Sequence, residues 1–415
     1  MHIRFQEETM KKHVRFHHHL TFAFLCFVFR WYLYFKYKFR RRYLKLDDKG
    51  PHLIMFNHAA NIDGYVIACS FRRPIYFVST EHLFSVRGLS WLVDYLIAPI
   101  PIQKNRPDPN AVRKIIQVVK EGGSIGLVPE GNSTITGESP RLDKSLVKLI
   151  KHLGIPLVFC HIKGNYFANP RWGHKIRKNE LTCIIKAIVK PQDYVDKNAD
   201  EIYDLLKDNL YVNAYEEQLQ DPMIYPSKDS ALYLERLLIV CPNCRAFDRL
   251  YSSGDGVYCH NCDLEMRLDK HGFFIDNPYE LRTVIDWDNW QKPVFKSFVK
   301  AYPSDEQLFA PAQAVVLEHI KTNKRYSHKK KLGLSRVTMT KERFTITYKN
   351  HVVDYHLEEI EDVTIADKNQ LHIYLKDANT LILLGKGRFA PYKYLMAYQI
   401  AFASKENKDP EFLGI

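Results

Sequence analysis

The sequence predicts an α/β domain with a mixed, largely parallel sheet, followed by a short cysteine-paired segment and a mainly β module. Three patterns carry this prediction. Between about residues 50 and 190, short apolar runs alternate with segments of helical period. Two Cys-x-x-Cys pairs, Cys241/Cys244 and Cys259/Cys262, are separated by fourteen residues. Beyond about residue 310 the hydrophobic period falls to two, with turn residues between the runs.

A chain of 415 residues exceeds one comfortable core, which divides it into several units. These are a basic, aromatic leader (1–45), the α/β domain with trailing helices (46–237), the cysteine segment (238–270) and the β module with a C-terminal helix (271–415). With 46% hydrophobic and 26% charged residues, neither global disorder nor a polytopic membrane protein fits.

The leader holds the charge. Residues 1–50 contain twelve Lys or Arg against four Asp or Glu, so +8 of the net +13 lies there. Such a block seeks phosphate, on nucleic acid or on lipid headgroups. Leu20–Phe29 is wholly apolar apart from Thr21, and the following residues interleave aromatics with Lys36, Lys38, Arg40, Arg41 and Arg42. Rings and long basic side chains together suit a membrane interface. Leu20–Phe35 is sixteen residues, about 24 Å as a helix, short of the roughly 30 Å of a hydrocarbon core. The expectation is therefore an interfacial anchor, peripheral or monotopic, with a helix packed on its own domain as the competing reading. No small-residue cleavage site follows, which argues against a signal peptide and for the cytoplasmic face of a membrane. Cys26, Cys69, Cys160 and Cys183 are isolated in apolar runs and are expected as buried thiols.

Within the α/β region, PHLIMFNH reads as a strand running into a polar turn. PNAVRKIIQVVKEGG reads as a helix with Val112, Ile115, Ile116 and Val119 on one face and a Gly122–Gly123 stop. SIGLVPEG is a strand ending in a loop. LDKSLVKLIKHLG is a helix with Leu146, Leu149, Ile150 and Leu153 facing inward, and IPLVFCHIKG is the next strand. Chemistry in such sheets collects at strand ends. Residues 194–236 read as polar and helical. In the β module, Lys349-Asn350, Asp367-Lys368-Asn369 and Asp377-Ala378-Asn379 mark hairpins, and PYKYLMAYQIAFAS a closing helix. Hairpins capped by one helix resemble a pleckstrin-homology or GRAM-like module. His328-Lys329-Lys330-Lys331 is a solvated loop or a contact for anionic lipid.

Asn57-His58-Ala59-Ala60-Asn61-Ile62-Asp63 carries the chemistry. A histidine beside a carboxylate suits general-base work, the carboxylate fixing the tautomer and stabilising the imidazolium. Five helical steps turn about 500°, so His58 and Asp63 share no face of one helix. They meet only if His58 lies in the turn after the strand and Asp63 in the next turn or at a helix start, with Asn61 as a possible cap. Downstream, Val128-Pro129-Glu130-Gly131-Asn132 ends a strand with a carboxylate and a glycine, and Ile100-Pro101-Ile102-Gln103-Lys104 puts a cation after another.

Here the chain resembles the glycerolipid acyltransferases of the lysophosphatidic acid acyltransferase (PlsC) family, over about residues 20–195. Their four blocks match in order: Asn57 to Asp63, Ile100 to Lys104, Pro129-Glu130-Gly131, and the Pro-containing strand Ile155 to Phe159. The resemblance implies that His58 is the base on a lipid or glycerophosphate hydroxyl, which attacks the thioester of acyl-CoA or acyl-carrier protein. Asp63 orients His58, and Asn57, Glu130, Gly131 and Asn132 help bind the acceptor, lysophosphatidate or a related lysolipid. The oxyanion needs donors, expected from backbone N–H groups of these loops. The chain departs from the family pattern at three places. Ala60 replaces a serine. Lys104 replaces an arginine and loses its bidentate fork, so Arg106 is expected to share the phosphate. The arginine expected soon after Gly131 is missing, and Arg141 or Lys144 is the expected substitute.

Cys241, Cys244, Cys259 and Cys262 are spaced to close a tetrahedral Zn²⁺ site. Four thiolates leave no open position, so a structural zinc is expected, with His260 a neighbour rather than a ligand. The alternative function is a non-enzymatic zinc-ribbon protein contacting nucleic acid or membrane. The aromatic content of the leader favours membrane lipid over nucleic acid as the partner.

Overall fold

The computed structural model describes residues 12–46, 48–80, 90–102, 108–275, 277–320, 328–377 and 379–405. A long helix, α1 (His17–Tyr37), leads into the α/β unit. There β1 (Leu53–Phe56), α2 (Asp63–Ser70), β2 (Ile75–Thr80), α3 (Ser90–Ile97), β3 (Ile100–Ile102), α4 (Pro109–Lys120), β4 (Ser124–Leu127), α5 (Leu146–Leu153), β5 (Leu157–Lys163), α6 (Asn165–Ala168) and β6 (Thr182–Val189) follow in turn. Helices α7 (Ala199–Leu210) and α8 (Ala214–Gln220) complete it. The sheet order is β3-β2-β4-β1-β5-β6, parallel except where β6 runs against β5, as the alternation predicted.

The central strand explains why the sheet is covered on both faces. All four residues of β1 are buried: Ile54 and Phe56 face one core layer, Leu53 and Met55 the other. The second layer takes α4, whose start is fixed by the Asp108 carboxylate accepting from Asn110 N and Ala111 N, with Pro109 at the first turn. Its deeply buried stripe is Ala111, Ile115 and Val118, whereas Val112 is exposed. The buried face is thus rotated from the predicted one and takes in the small Ala111. In α5 the deepest residues are Leu146, Val147 and Ile150, with Leu149 and Leu153 half-buried. Of the stretch read as helical over 194–236, only α7 and α8 are α-helical and the residues after Gln220 are mostly irregular; between the two helices the Asn213 side chain caps α8 through Tyr215 N and Glu216 N.

Helix α1 packs on its own domain, the competing reading of the leader, and leaves other apolar side chains exposed. His18, Phe22, Cys26, Leu33 and Tyr37 form a buried stripe on the domain. On other sides of the helix Leu20, Phe24, Phe27, Trp31 and Phe35 are exposed, and Tyr65 and Trp91 extend this apolar surface beyond it. The ring of Phe29 stacks on Tyr65 at 4.4 Å, and His17 stacks on Tyr95 at 4.4 Å. Among the described residues no helix is long and apolar enough to cross a membrane.

A four-stranded antiparallel sheet follows, from β7 (Leu250–Ser253), β8 (Gly256–Cys259), β9 (Glu265–Leu268) and β10 (Phe274–Ile275). Strand β10 places the end of this unit beyond residue 270. Helix α9 (Val284–Ala301), opened by a Thr283/Asp286 capping box, leads into the last unit. That unit is one seven-stranded antiparallel sheet. Its strands are β11 (Ala312–Ile320), β12 (His328–Met339), β13 (Arg343–Tyr348), β14 (His351–His356), β15 (Ile360–Ala366), β16 (Gln370–Leu375) and β17 (Thr380–Gly385), packed by α10 (Pro391–Lys405). The order is β14-β13-β12-β11-β17-β16-β15, so first and last strands pair. Lys349 and Asp367 turn their hairpins in the left-handed region, as those turn signals anticipated. Ala378, in the third turn, lies outside the described residues. His328–Lys331 is the start of β12 paired with β11 rather than a loop, a correction that follows from the backbone pairing of Glu318 with Lys330.

The ribbon and β module share one core with the α/β unit, from Phe22 and Ile54 through Trp287 to Leu383. Between them, Trp287 Nε1 donates to the Val240 carbonyl at 3.0 Å, and Gln291 Oε1 accepts from Ile239 N at 2.8 Å. Phe247 stacks on Phe298 at 4.0 Å.

Candidate active site

Three adjacent parallel strands, β4, β1 and β5, end at the same edge of the sheet and deliver Glu130, His58 and Asn165. His58 sits in the turn after β1, and Asp63 is the first residue of α2, which is how residues five apart come to meet. His58 Nδ1 lies 2.9 Å from Asp63 Oδ2. The same oxygen accepts from Ala59 N at 2.8 Å and Ala60 N at 2.9 Å, and Oδ1 accepts from Asn165 Nδ2 at 3.1 Å. Asp63 is 0% exposed, while the His58 side chain is 23% exposed. With Nδ1–H given to the carboxylate, Nε2 keeps its lone pair for a proton from elsewhere. The expected cap does not form: Ile62 stands at the cap position without a side-chain bond, and Asp63 orders the turn instead.

Glu130 braces this turn from the other side. Its Oε2 accepts from His58 N at 3.2 Å and its Oε1 from Ser139 Oγ at 3.0 Å. Burial pushes its carboxyl up to about 8, against hydrogen bonds from Ser139 and His58 that pull it down and the nearby Asp63 charge that adds to the rise. The chain turns at Gly131 with φ +68°, where an added Cβ would meet nothing, so glycine is required there by the backbone and not by space. Thr134 N then donates to the His58 carbonyl at 2.9 Å. The pieces frame a cleft open to solvent, lined by His58, Glu130, Ser139, Lys163 and Asn165.

Residues 38–163, which hold the histidine, the aspartate and the glutamate, match the family model described as Acyltransferase. This segment is similar to an acyltransferase domain. The crystal structure of the 1-acyl-sn-glycerophosphate (LPA) acyltransferase PlsC from Thermotoga maritima is similar at 19% identity and a TM-score of 0.40, covering 50% of this chain and 80% of that one. The N-terminal PH domain of human ARAP2 is similar at 11% identity and a TM-score of 0.19, covering 26% of this chain and 93% of that domain. The Inner Membrane Complex Sub-compartment Protein 3 from Toxoplasma gondii shows 10% identity and a TM-score of 0.18, over 28% and 87%. No curated protein matches the chain.

Other expected residues of the acyltransferase domain fall in different places. The Asn57 amide lines the cleft but is committed to the backbone of Ile162, donating to its carbonyl at 3.1 Å and accepting from its N–H at 2.8 Å. It ties β1 to β5. Gly131 and Asn132 are not among the residues that line the cleft. Lys144 precedes α5 and faces a neighbouring groove, where it lies 3.6 Å from Asp200 and over the ring of Tyr203. That groove meets the cleft at Ser139. Lys104 and Arg106 lie outside the described residues. Asn165, Ser139 and Lys163 were not anticipated. Lys163 lines the cleft at the end of β5 and is paired with Asp221 at 2.5 Å, while His161 on the same strand meets Glu217 at 2.6 Å. The only signal for Asn165 and Lys163 was position, as polar residues at a strand's carboxyl end.

Away from the acyltransferase domain, the thiols of Cys241, Cys244, Cys259 and Cys262 lie within 4.8 Å of one another. Cys241 and Cys262 sulfurs are 3.6 Å apart, and Cys244 and Cys259 sulfurs 3.8 Å. A tetrahedron of about 2.3 Å Zn–S bonds has edges of about 3.8 Å, so the set fits zinc. His260 stacks on Tyr251 at 4.2 Å and is not part of the group. Cys26, Cys69, Cys160 and Cys183 are buried free thiols, as expected.

Proposed function

We propose that the protein is a membrane-associated O-acyltransferase that moves a fatty acyl group from acyl-CoA or acyl-carrier protein to a hydroxyl of lysophosphatidate or a related lysolipid. The observation that carries this is the His58–Asp63 pair at 2.9 Å, with Asp63 buried and Nε2 left toward a cleft at the strand ends. The acceptor oxygen attacks the thioester carbonyl while Nε2 takes its proton. Asp63 steadies the imidazolium so formed. Collapse of the tetrahedral species breaks the C–S bond, and the thiolate leaves with the proton returned from His58. Ala59 N and Ala60 N are already used by Asp63, so the oxyanion's donors come from elsewhere in the cleft. Glu130 holds the His58 turn in place, and Lys104, Arg106 and Lys163 are the cations proposed for the acceptor's phosphate.

The exposed stripe of Leu20, Phe24, Phe27, Trp31 and Phe35, joined by Tyr65 and Trp91, supports seating on the membrane interface. The four thiols support a structural Zn²⁺ that closes the ribbon. The seven-strand order with a packed C-terminal helix supports a PH-like reading of the last unit. Labelled acyl-CoA and acyl-carrier protein, each offered with a panel of lysolipids in liposomes, test the proposal. One donor and acceptor pair giving labelled product supports it, and no product from any pair with folded protein overturns it.

A further inference from the structure

One peptide group joins His58 to the C-terminal β module. The Ser133 carbonyl and the Thr134 N–H belong to the same planar unit, so neither turns without the other. The N–H donates to the His58 carbonyl at 2.9 Å. The carbonyl accepts from Arg171 Nη1 at 2.7 Å. At the other end of that guanidinium, Nη2 donates to the Ile365 carbonyl at 2.7 Å and to the Asp367 carbonyl at 3.5 Å. Ile365 lies one residue before the end of β15, and Asp367 opens the turn to β16. The turn reaches back as well, since Lys368 Nζ donates to the Gly173 carbonyl at 2.7 Å. Arg171 is only 8% exposed. A buried cation on a carbonyl polarises the peptide and strengthens its N–H as a donor.

We propose that Arg171 is a positioning residue for acyl transfer, through which the β15–β16 turn of the C-terminal module sets the Ser133–Thr134 peptide and, with it, the backbone of His58. The module is thereby part of the support of the active site. Its kinetic consequence rests on the acyl-transfer reading; its structural consequence does not. Arg171 acts at a distance from the reacting atoms, and its partners are all main-chain carbonyls. Lysine in its place keeps the charge but loses the planar fork, so it serves one carbonyl group and leaves the other.

Hydrogen–deuterium exchange over residues 130–139 and steady-state kinetics, both on the full chain, test this in Arg171→Lys and Lys368→Met. In Arg171→Lys the Thr134 amide is expected to exchange about tenfold faster, as a locally opened bond does. Its kcat falls about tenfold while the donor KM stays within about twofold, the mark of lost positioning. Lys368→Met moves both readouts the same way by less. Unchanged Thr134 exchange in folded Arg171→Lys overturns the proposal, and so does a KM rise with kcat intact. Should Arg171→Lys fail to fold, Lys368→Met alone decides by the same two criteria. If the wild-type protein transfers no acyl group, the exchange result still decides the positioning role while the functional reading falls by itself.

Discussion

Asp63→Asn exchanges one buried carboxylate oxygen for an NH₂ and leaves the side chain's shape intact. Asp63 Oδ2 receives three N–H groups and Oδ1 a fourth. An amide oriented with its oxygen toward His58, Ala59 and Ala60 must set its NH₂ against the Asn165 amide; the opposite orientation is worse by two donors. The tautomer of His58 therefore survives, but the charge that steadies the imidazolium is gone. With charge centres about 5 Å apart and an effective dielectric of about 20, that attraction is about 3 kcal/mol. Lost from the transition state alone, it lowers kcat about 10²-fold. One unsatisfied buried donor costs the fold about 1–3 kcal/mol. Acyl-transfer kinetics with a parallel thermal melt separate the two effects. A folded Asp63→Asn protein within about fivefold of the wild-type kcat would refute the assigned pairing.

Three further outcomes follow from the same geometry. Glu130 is pushed up to about 8, so between the ordinary carboxylate value and that point the native state holds a proton the unfolded chain has released. Its contribution to stability is complete at acid pH and is lost as pH rises through about 8; melting temperatures should fall across that window and Glu130→Gln should flatten the fall, whereas an identical slope in the variant contradicts the assignment. Replacing Phe24, Phe27 and Trp31 together by Ser removes exposed rings without touching the buried stripe, so liposome co-sedimentation should weaken at least about tenfold with the melt unchanged, and undiminished sedimentation contradicts the membrane seat. Metal analysis should give about one zinc per chain, and Cys259→Ser should lose it with a lower melt, because Trp287 and Gln291 anchor α9 to the backbone leading into the ribbon; a zinc-free wild type of equal stability contradicts the site.

Some of this was legible in the chain itself. His58 and Asp63 stand out because a strand, a polar turn and a helix start leave only one way for residues five apart to meet. The thiol cluster and the hairpin turns at Lys349 and Asp367 carry their chemistry in their spacing. The stripe of α4 was misplaced because Ala111 packs as deeply as Ile115 without adding to an apolar pattern. Helix α1 is apolar on nearly every side, so period alone does not say which stripe meets the domain. The family resemblance gives Asn57 a place in acceptor binding, yet its amide serves the Ile162 backbone. Arg171 was invisible for a related reason: its partners are main-chain carbonyls, which have no side-chain signature to search for.

The central claim is that His58 removes the acceptor's proton, and the most direct measurement is product formation by wild type and His58→Ala side by side in liposomes, at equal amounts of folded protein. The account predicts labelled acylated lysolipid from the wild type and a loss of at least about 10²-fold in His58→Ala, the scale of a missing general base. Equal product from both proteins would contradict it.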